Sequence, residues 1–207
     1  MEGKTPAIVL AAGASSRMGT PKALLPWGRH TVLEHQLEVL KQAGYPNYVV
    51  VTGAHHGEIS QLLEGTSTLI AHNWEWHKGM GTSIGCGMAY MQKQWPDATG
   101  VLILLADQPL ISAAYLRQLR EWHLEADPPI LVASRNPDGA GVPALFPARC
   151  FKDLSSLPPG KGARKLIARE VEKVRVVDPG GAIRDMDTPE MYLELLRAAG
   201  LKTPENL

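Results

Sequence analysis

Two stretches of the chain are almost unbroken in their hydrophobicity. Ala7 to Ala12 (AIVLAA) and Gly100 to Ala106 (GVLILLA) each end abruptly in small or polar residues. Apolar runs of this length without alternation predict strands buried on both faces, as in a parallel sheet. Tyr48 to Thr52 is a β-branched strand closed by Gly53, and Thr68–Ala71, Ile130–Ser134 and Val174–Val177 are shorter strand candidates. Pro143–Phe146 reads as a short extended piece. Between the strands the period becomes helical. Val32–Ala43 carries its apolar positions at Val32, Leu33, Leu37 and Leu40, with Gly44 as the stop. Glu58–Leu63, Thr82–Gln94 (weakened by Gly85 and Gly87), Ala113–Leu124, Arg149–Leu157 and Ala163–Glu170 follow the same pattern. A last helix spans Pro189–Ala199, with Thr188 as N-cap and Pro189 in the first helical position. Alternation of this kind predicts a doubly wound α/β fold: a mostly parallel sheet between two helical layers. Residues 1–200 read as one domain. The tail from Leu201 to Leu207 reads as frayed, and the Pro/Gly clusters at 127–129, 136–143 and 158–162 read as loops.

Composition narrows the class. With 207 residues, 44% of them hydrophobic and 20% charged, the chain can build a sizeable core and is not disordered. A formal net charge of +0 gives no bulk attraction to nucleic acid or to an anionic membrane, so neither partner is expected. Cys86 and Cys150 stand in no metal-ligand spacing, which favours a reducing compartment over a disulfide scaffold. Met1 to Pro6 leads into the first strand without a signal-type apolar segment, and no apolar run is long enough to span a bilayer. A soluble cytoplasmic protein is expected.

The loop after the first strand, Gly13-Ala14-Ser15-Ser16-Arg17-Met18-Gly19-Thr20-Pro21-Lys22, carries the chief chemical signal. Small residues let backbone approach a ligand, and successive N–H groups can form an anion-binding concavity. Arg17 and Lys22 add charge suited to phosphate. Open α/β sheets place their ligands at the carboxyl ends of strands, where this loop lies. Plain turn chemistry with solvated cations is the competing reading. The loop matches neither G-x-x-x-x-G-K-[ST], since Thr20 follows Gly19, nor G-x-G-x-x-G, since position 15 is Ser15.

Three further segments matter. Asp107, at the end of the second long apolar run, is either a carboxylate for Mg²⁺ or a turn residue before Gln108-Pro109. Asp185 and Asp187 stand two apart, so on extended backbone they point the same way. Either completes a metal site, or Asp187 or Thr188 simply caps the last helix. Asn73 to Ile84 combines Gly79, Gly81, Thr82 and Ser83 with Trp74 and Trp76. It is either a base-reading loop or a structural loop whose tryptophans cover the core. His55, His56, His72 and His77 are too dispersed for a metal site and read as bystanders.

In order along the chain, these segments resemble the nucleotidyltransferases of molybdenum-cofactor maturation. The resemblance rests on Leu10-Ala11-Ala12-Gly13 through Lys22 with Leu24-Leu25-Pro26; Gly79-Met80 with Ser83; Ala106-Asp107-Gln108-Pro109; Gly141 to Phe146; Gly162-Ala163-Arg164; and Asp185 to Pro189. It covers nearly the whole chain. Ala12, where the guanylyltransferase (MobA-like) branch usually has a second Gly, and Asp107-Gln108-Pro109 look like the cytidylyltransferase (MocA-like) branch. The resemblance implies a nucleotide-diphosphosugar-transferase fold of the Rossmann-like type. It also implies transfer of a nucleoside monophosphate from CTP, or from GTP in the related branch, to the phosphate of a molybdopterin-type acceptor. Leu10, Ala11, Ala12, Gly13, Ser15, Ser16, Gly79, Met80 and Ser83 would bind the nucleotide. Arg17 would contact the outer phosphates and Lys22 the α-phosphate. Asp107 and Asp187 would hold Mg²⁺, with Mn²⁺ an alternative, and Gln108, Pro143, Ala144 and Arg164 would meet the acceptor. Another phosphorylated acceptor, such as a sugar or polyol phosphate, is a second enzymatic reading. A carrier that hands the finished cofactor to a molybdoenzyme is a non-enzymatic one. Two departures from the family pattern, Gly85 in place of a cation and Pro159-Gly160 in place of Gly-Asp, fall where the second substrate is expected.

Overall fold

The computed structural model describes residues 5–170 and 174–204. Its strands are β1 (Ala7–Ala11), β2 (Pro26–Trp27), β3 (His30–Thr31), β4 (Tyr48–Thr52), β5 (Leu69–His72), β6 (Gly100–Leu105), β7 (Leu131–Asn136), β8 (Gly139–Pro147) and β9 (Val174–Val177). Its helices are α1 (Val32–Gln42), α2 (His56–Leu62), α3 (Met80–Gln94), α4 (Ala113–Glu125), α5 (Phe151–Ser155), α6 (Arg164–Arg169) and α7 (Pro189–Ala198). The main sheet runs β5-β4-β1-β6-β8-β7-β9. Every pairing is parallel except those of β8, which runs antiparallel to both β6 and β7.

Side-chain alternation along β1 divides the core. Ala7, Val9 and Ala11 pack with Leu33, Leu37 and Leu40 of α1 and Leu116 and Leu119 of α4. Ile8, Leu10 and Ala12 pack on the opposite face with Ile84, Met88 and Met91 of α3, Leu154 of α5 and Leu166 of α6. This is the three-layer arrangement that unbroken apolar strands require, since each face needs its own cover. Gly87 permits the closest approach: a Cβ there would stand 2.7 Å from Ile8 Cγ2, so the glycine lets α3 lie directly on the sheet. A third cluster joins Met18, Leu25 and Trp27 to Tyr192, Leu195 and Leu196, docking α7 against the β2–β3 ribbon. Among the described residues, no helix is long and apolar enough to cross a membrane.

Several boundaries differ from the sequence reading. The 136–143 cluster is not a loop but most of a hairpin in which only Pro137 and Asp138 lie between the strands. Pro143 sits at the register shift between β7 and β8, where a missing N–H disrupts least. The piece at 143–146 is thus the middle of a longer strand. The two-residue strands β2 and β3 are too short to leave a periodic signal. Helix α3 starts at Met80 rather than Thr82, and 149–157 divides into a 3₁₀ turn and α5. At the chain end, Leu201 N–H still donates to Leu196 O at 2.9 Å, whereas residues 205–207 lie outside the described residues.

Candidate active site

Strand β1 leads through α1 to β4 on one side of the sheet, and β6 leads through α4 to strands on the other. Connections therefore diverge at the carboxyl ends of β1 and β6, leaving a crevice there. A cleft of about 380 Å³ opens at that point, with Leu10 to Ser15 along one side and Leu105 to Asp107 along another. His55, Ile59, Trp76, His77, Gly79, Met80 and Ser83 also line it, as do Pro21, Lys22 and Ala23.

Local chemistry shapes the wall. Ser15 takes the left-handed conformation (φ +52°), and its Oγ accepts the Lys22 N–H at 3.1 Å, drawing the loop into a closed turn. His55 Nε2 meets Ala14 O at 3.0 Å and holds the loop from the β4 side. Asn73 is buried. Its Nδ2 donates to Thr82 Oγ1 at 3.0 Å and to Ser83 Oγ at 2.9 Å, tying the end of β5 to the start of α3. Ser83, which accepts from this buried amide, also lines the cleft. Gly79 precedes α3 at φ +108° and ψ −178°, a conformation essentially reserved for glycine.

Charge gathers at the cleft mouth. Lys22 Nζ lies 3.0 Å from Asp107 Oδ2 and 2.5 Å from Asp187 Oδ1, and Arg17 Nη2 lies 2.6 Å from Asp187 Oδ2. The Lys22 side chain is 17% exposed and that of Arg17 68%, so the lysine pairs are shielded and the arginine pair is screened by water. The benefit is uneven. Burial alone would push the Lys22 ammonium down, but the Asp107 charge and the hydrogen bonds to Asp187 and Asp107 hold it above the ordinary lysine value. Hydrogen bonding to Lys22 lowers Asp187. Burial raises Asp107 despite the opposing pull of Lys22. One ammonium serves two carboxylates, and Asp107 is the less compensated.

The structure thus brings Lys22, Arg17, Asp107 and Asp187 together, with Leu10, Ala11, Ala12, Gly13, Ser15, Gly79, Met80 and Ser83 around the adjoining cleft. Ser16 is not among the lining residues. Thr188 caps α7 through Met191 N, leaving Asp187 free to meet the cations. Asp185 turns instead to Gln108, whose buried Nε2 donates to Asp185 Oδ1 at 2.8 Å. Gln108 O in turn accepts from Gln36 of α1. Ala144 is 0% exposed inside the sheet, and Pro143 is buried beside it, so neither side chain offers a surface to an acceptor. Their place in a strand between β6 and β7 is the reason. Arg164 is exposed and pairs with Asp138 at 3.3 Å. The two departures pack against protein: a Cβ on Gly85 would stand 3.4 Å from Ser155 O, and one on Gly79 would stand 2.6 Å from Gly160 Cα.

Sequence reasoning passed over Ile59, read His55 and His77 as bystanders, and named Trp76 only within a 73–84 loop that either reads a base or covers the core. His55 had a usable signal, since it follows Gly53 at the carboxyl end of β4, on the same edge as the first loop. His56 and His72 stack on each other at 3.8 Å. Among the described residues, no three His, Cys, Asp or Glu side chains form a metal-holding group.

Comparison with known proteins agrees with this geometry. Residues 7–174 match the model of the MobA-like NTP transferase domain. The purine catabolism protein PucB of Bacillus subtilis is 27% identical over 201 residues, covering 92% of this chain and 95% of that protein. The crystal structure of Rv0371c from Mycobacterium tuberculosis is similar at a TM-score of 0.77 and 32% identity, covering 93% of this chain and 98% of that one. A complex of Rv0371c with manganese is similar at a TM-score of 0.74 and 30% identity, covering 94% and 98%. The chain belongs to the MobA-like NTP transferase family and is a nucleotidyltransferase.

Proposed function

We propose that the protein transfers CMP from CTP to the terminal phosphate of a molybdopterin-type acceptor, releasing pyrophosphate, as a Mg²⁺-dependent cytoplasmic enzyme. The observation that carries this reading is the convergence of Lys22, Asp107 and Asp187 at the mouth of the cleft lined by Leu10 to Ser15. An acceptor phosphate oxygen bonds to the α-phosphorus of CTP while the bond from that phosphorus to the α,β-bridging oxygen breaks. The electron pair of that bond leaves on pyrophosphate. The attacking oxygen is already anionic, so no strong general base is required. Positioning and charge neutralisation carry the catalysis.

Each residue has a role in this scheme. The backbone from Leu10 to Gly13 holds the nucleotide, with Ser83 lining the same cleft. Arg17 meets the outer phosphates and Lys22 the α-phosphate. Asp107 and Asp187 would hold the divalent cation. The fit is chemical: carboxylate oxygens from both residues lie within 3.0 Å of a single cationic nitrogen, and oxygen pairs of this kind suit an ion that completes its shell with phosphate and water. Bound there, the ion supplies charge neutralisation at the triphosphate. The manganese complex of Rv0371c supports a divalent ion, with Mn²⁺ as an alternative to Mg²⁺. Ala12 supports cytosine. It lines the cleft and stands where the guanylyltransferase branch usually has a second Gly. Arg164, two residues after the Gly162 that packs on Met80, offers an exposed cation to an anionic acceptor.

The test is pyrophosphate release with Mg²⁺, a molybdopterin-type acceptor and each of CTP, GTP, ATP and UTP. CTP is expected to be fastest, and Lys22→Ala and Asp107→Ala to be slow. Unchanged rates in those variants would remove the site. Faster turnover with GTP, or turnover only with a sugar or polyol phosphate, would remove the substrate assignment.

A further inference from the structure

Two cations and two carboxylates at the cleft mouth are spent on each other. Both oxygens of Asp187 are taken, Oδ1 by Lys22 at 2.5 Å and Oδ2 by Arg17 at 2.6 Å, and Asp107 Oδ2 is taken by the same ammonium at 3.0 Å. In the reading above, Lys22 and Arg17 serve the triphosphate and the two aspartates serve the divalent cation. Each group of one set therefore occupies a partner in the other.

We infer that Lys22 is the free protein's own occupant of the divalent-cation site, and that nucleotide and divalent cation bind by exchange against it. The inference rests on the assignment of Asp107 and Asp187 as cation ligands. A divalent ion entering between these carboxylates meets an ammonium already there, and like charges a few ångströms apart repel strongly in a shielded site. Lys22 cannot simply withdraw: its side chain is mostly shielded, and an unpaired charge there loses both carboxylates without full hydration. A triphosphate removes the obstacle by giving Lys22 and Arg17 new anionic partners, which frees the carboxylates. The two ligands then favour each other's binding by the same factor, as linkage requires. In the free protein this arrangement keeps the divalent-cation site closed to metal without nucleotide, with no lid or loop movement.

Mn²⁺ binding followed by electron paramagnetic resonance tests this without turnover. Nucleotide-free wild type is expected to bind Mn²⁺ weakly. An α,β-methylene analogue of CTP or GTP is expected to tighten binding about tenfold or more beyond the analogue's own affinity for Mn²⁺. Nucleotide-free Lys22→Met is expected to bind Mn²⁺ about tenfold more tightly than wild type, and Lys22→Met/Asp107→Asn to lose that gain. Lys22→Gln serves as a second variant that keeps a hydrogen-bond donor, with thermal melts verifying folding. Mn²⁺ affinity in Lys22→Met and Lys22→Gln equal to or below wild type would overturn the inference, as would a gain that survives Asp107→Asn. The measurement contains no acceptor and accepts either base. An error in the CTP or molybdopterin assignment appears in the pyrophosphate panel and leaves this result standing.

Discussion

Lys22 Nζ lies 2.5 Å from Asp187 Oδ1 although 165 positions separate them in the chain. The contact closes the first loop against the segment that leads into α7, so it joins the loop's lysine to the start of the last helix. Replacing Lys22 by Ala should lower turnover by about a hundredfold or more, the scale of losing one preorganised charge-stabilising donor. Circular dichroism should show an intact fold, since the side chain lies at the cleft mouth and not in the core. Steady-state pyrophosphate release measures the loss.

Gly79 predicts a structural effect on the cleft. Its φ of +108° with ψ of −178° excludes other residues, and a Cβ would stand 2.6 Å from Gly160 Cα. Gly79→Ala should lower stability by about 1–3 kcal/mol through backbone strain and raise the KM for nucleotide, since Gly79 lines the cleft. Thermal unfolding and nucleotide titration read the two effects separately.

Much of this was legible in the sequence because unbroken apolar runs leave few choices. Ala7–Ala11 and Gly100–Leu105 had to be central strands, and their neighbouring carboxyl ends brought the first loop and Asp107 to one edge. Residue pattern alone left Asp185 and Asp187 open as the second carboxylate, and the choice of Asp187 came from the family resemblance. What was missed had weaker or contrary signals. Gly139, Gly141 and Pro143 are turn-forming residues by local preference, yet tertiary pairing with β6 and β7 makes them strand. His55 and Trp76 reach the cleft through crossovers from β4 and β5, which no local period encodes. Ala144 shared a motif with segments expected to meet the acceptor but is buried, because β8 lies between β6 and β7 in a sheet covered on both faces.

His123 makes acid stability a specific expectation. It is 0% exposed, its Nδ1 meets Ile130 O at 2.6 Å, and burial lowers its pKa to about 4. The unfolded chain takes up this proton near the ordinary value of about 6.5, before the folded protein does. The stability due to neutral His123 is therefore complete above that value and is lost as pH falls towards 4. The loss should reach about 3 kcal/mol near pH 4, seen in urea midpoints taken from pH 7 downward. An imidazole NMR titration with a midpoint above 6 would contradict this.

Ala12 should govern nucleotide choice. Removing its methyl with Ala12→Gly enlarges the cleft wall beside Gly53, and the ratio of kcat/KM for CTP over GTP should fall by about tenfold or more. An unchanged ratio would place base selection elsewhere in the cleft.

The central claim is tested most directly by the mass of the product formed from CTP, Mg²⁺ and a molybdopterin-type acceptor. The expected product is the acceptor enlarged by one CMP, with one pyrophosphate released per product. Recovery of unmodified acceptor, while GTP or a different phosphorylated compound yields the nucleotidylated product, would contradict it.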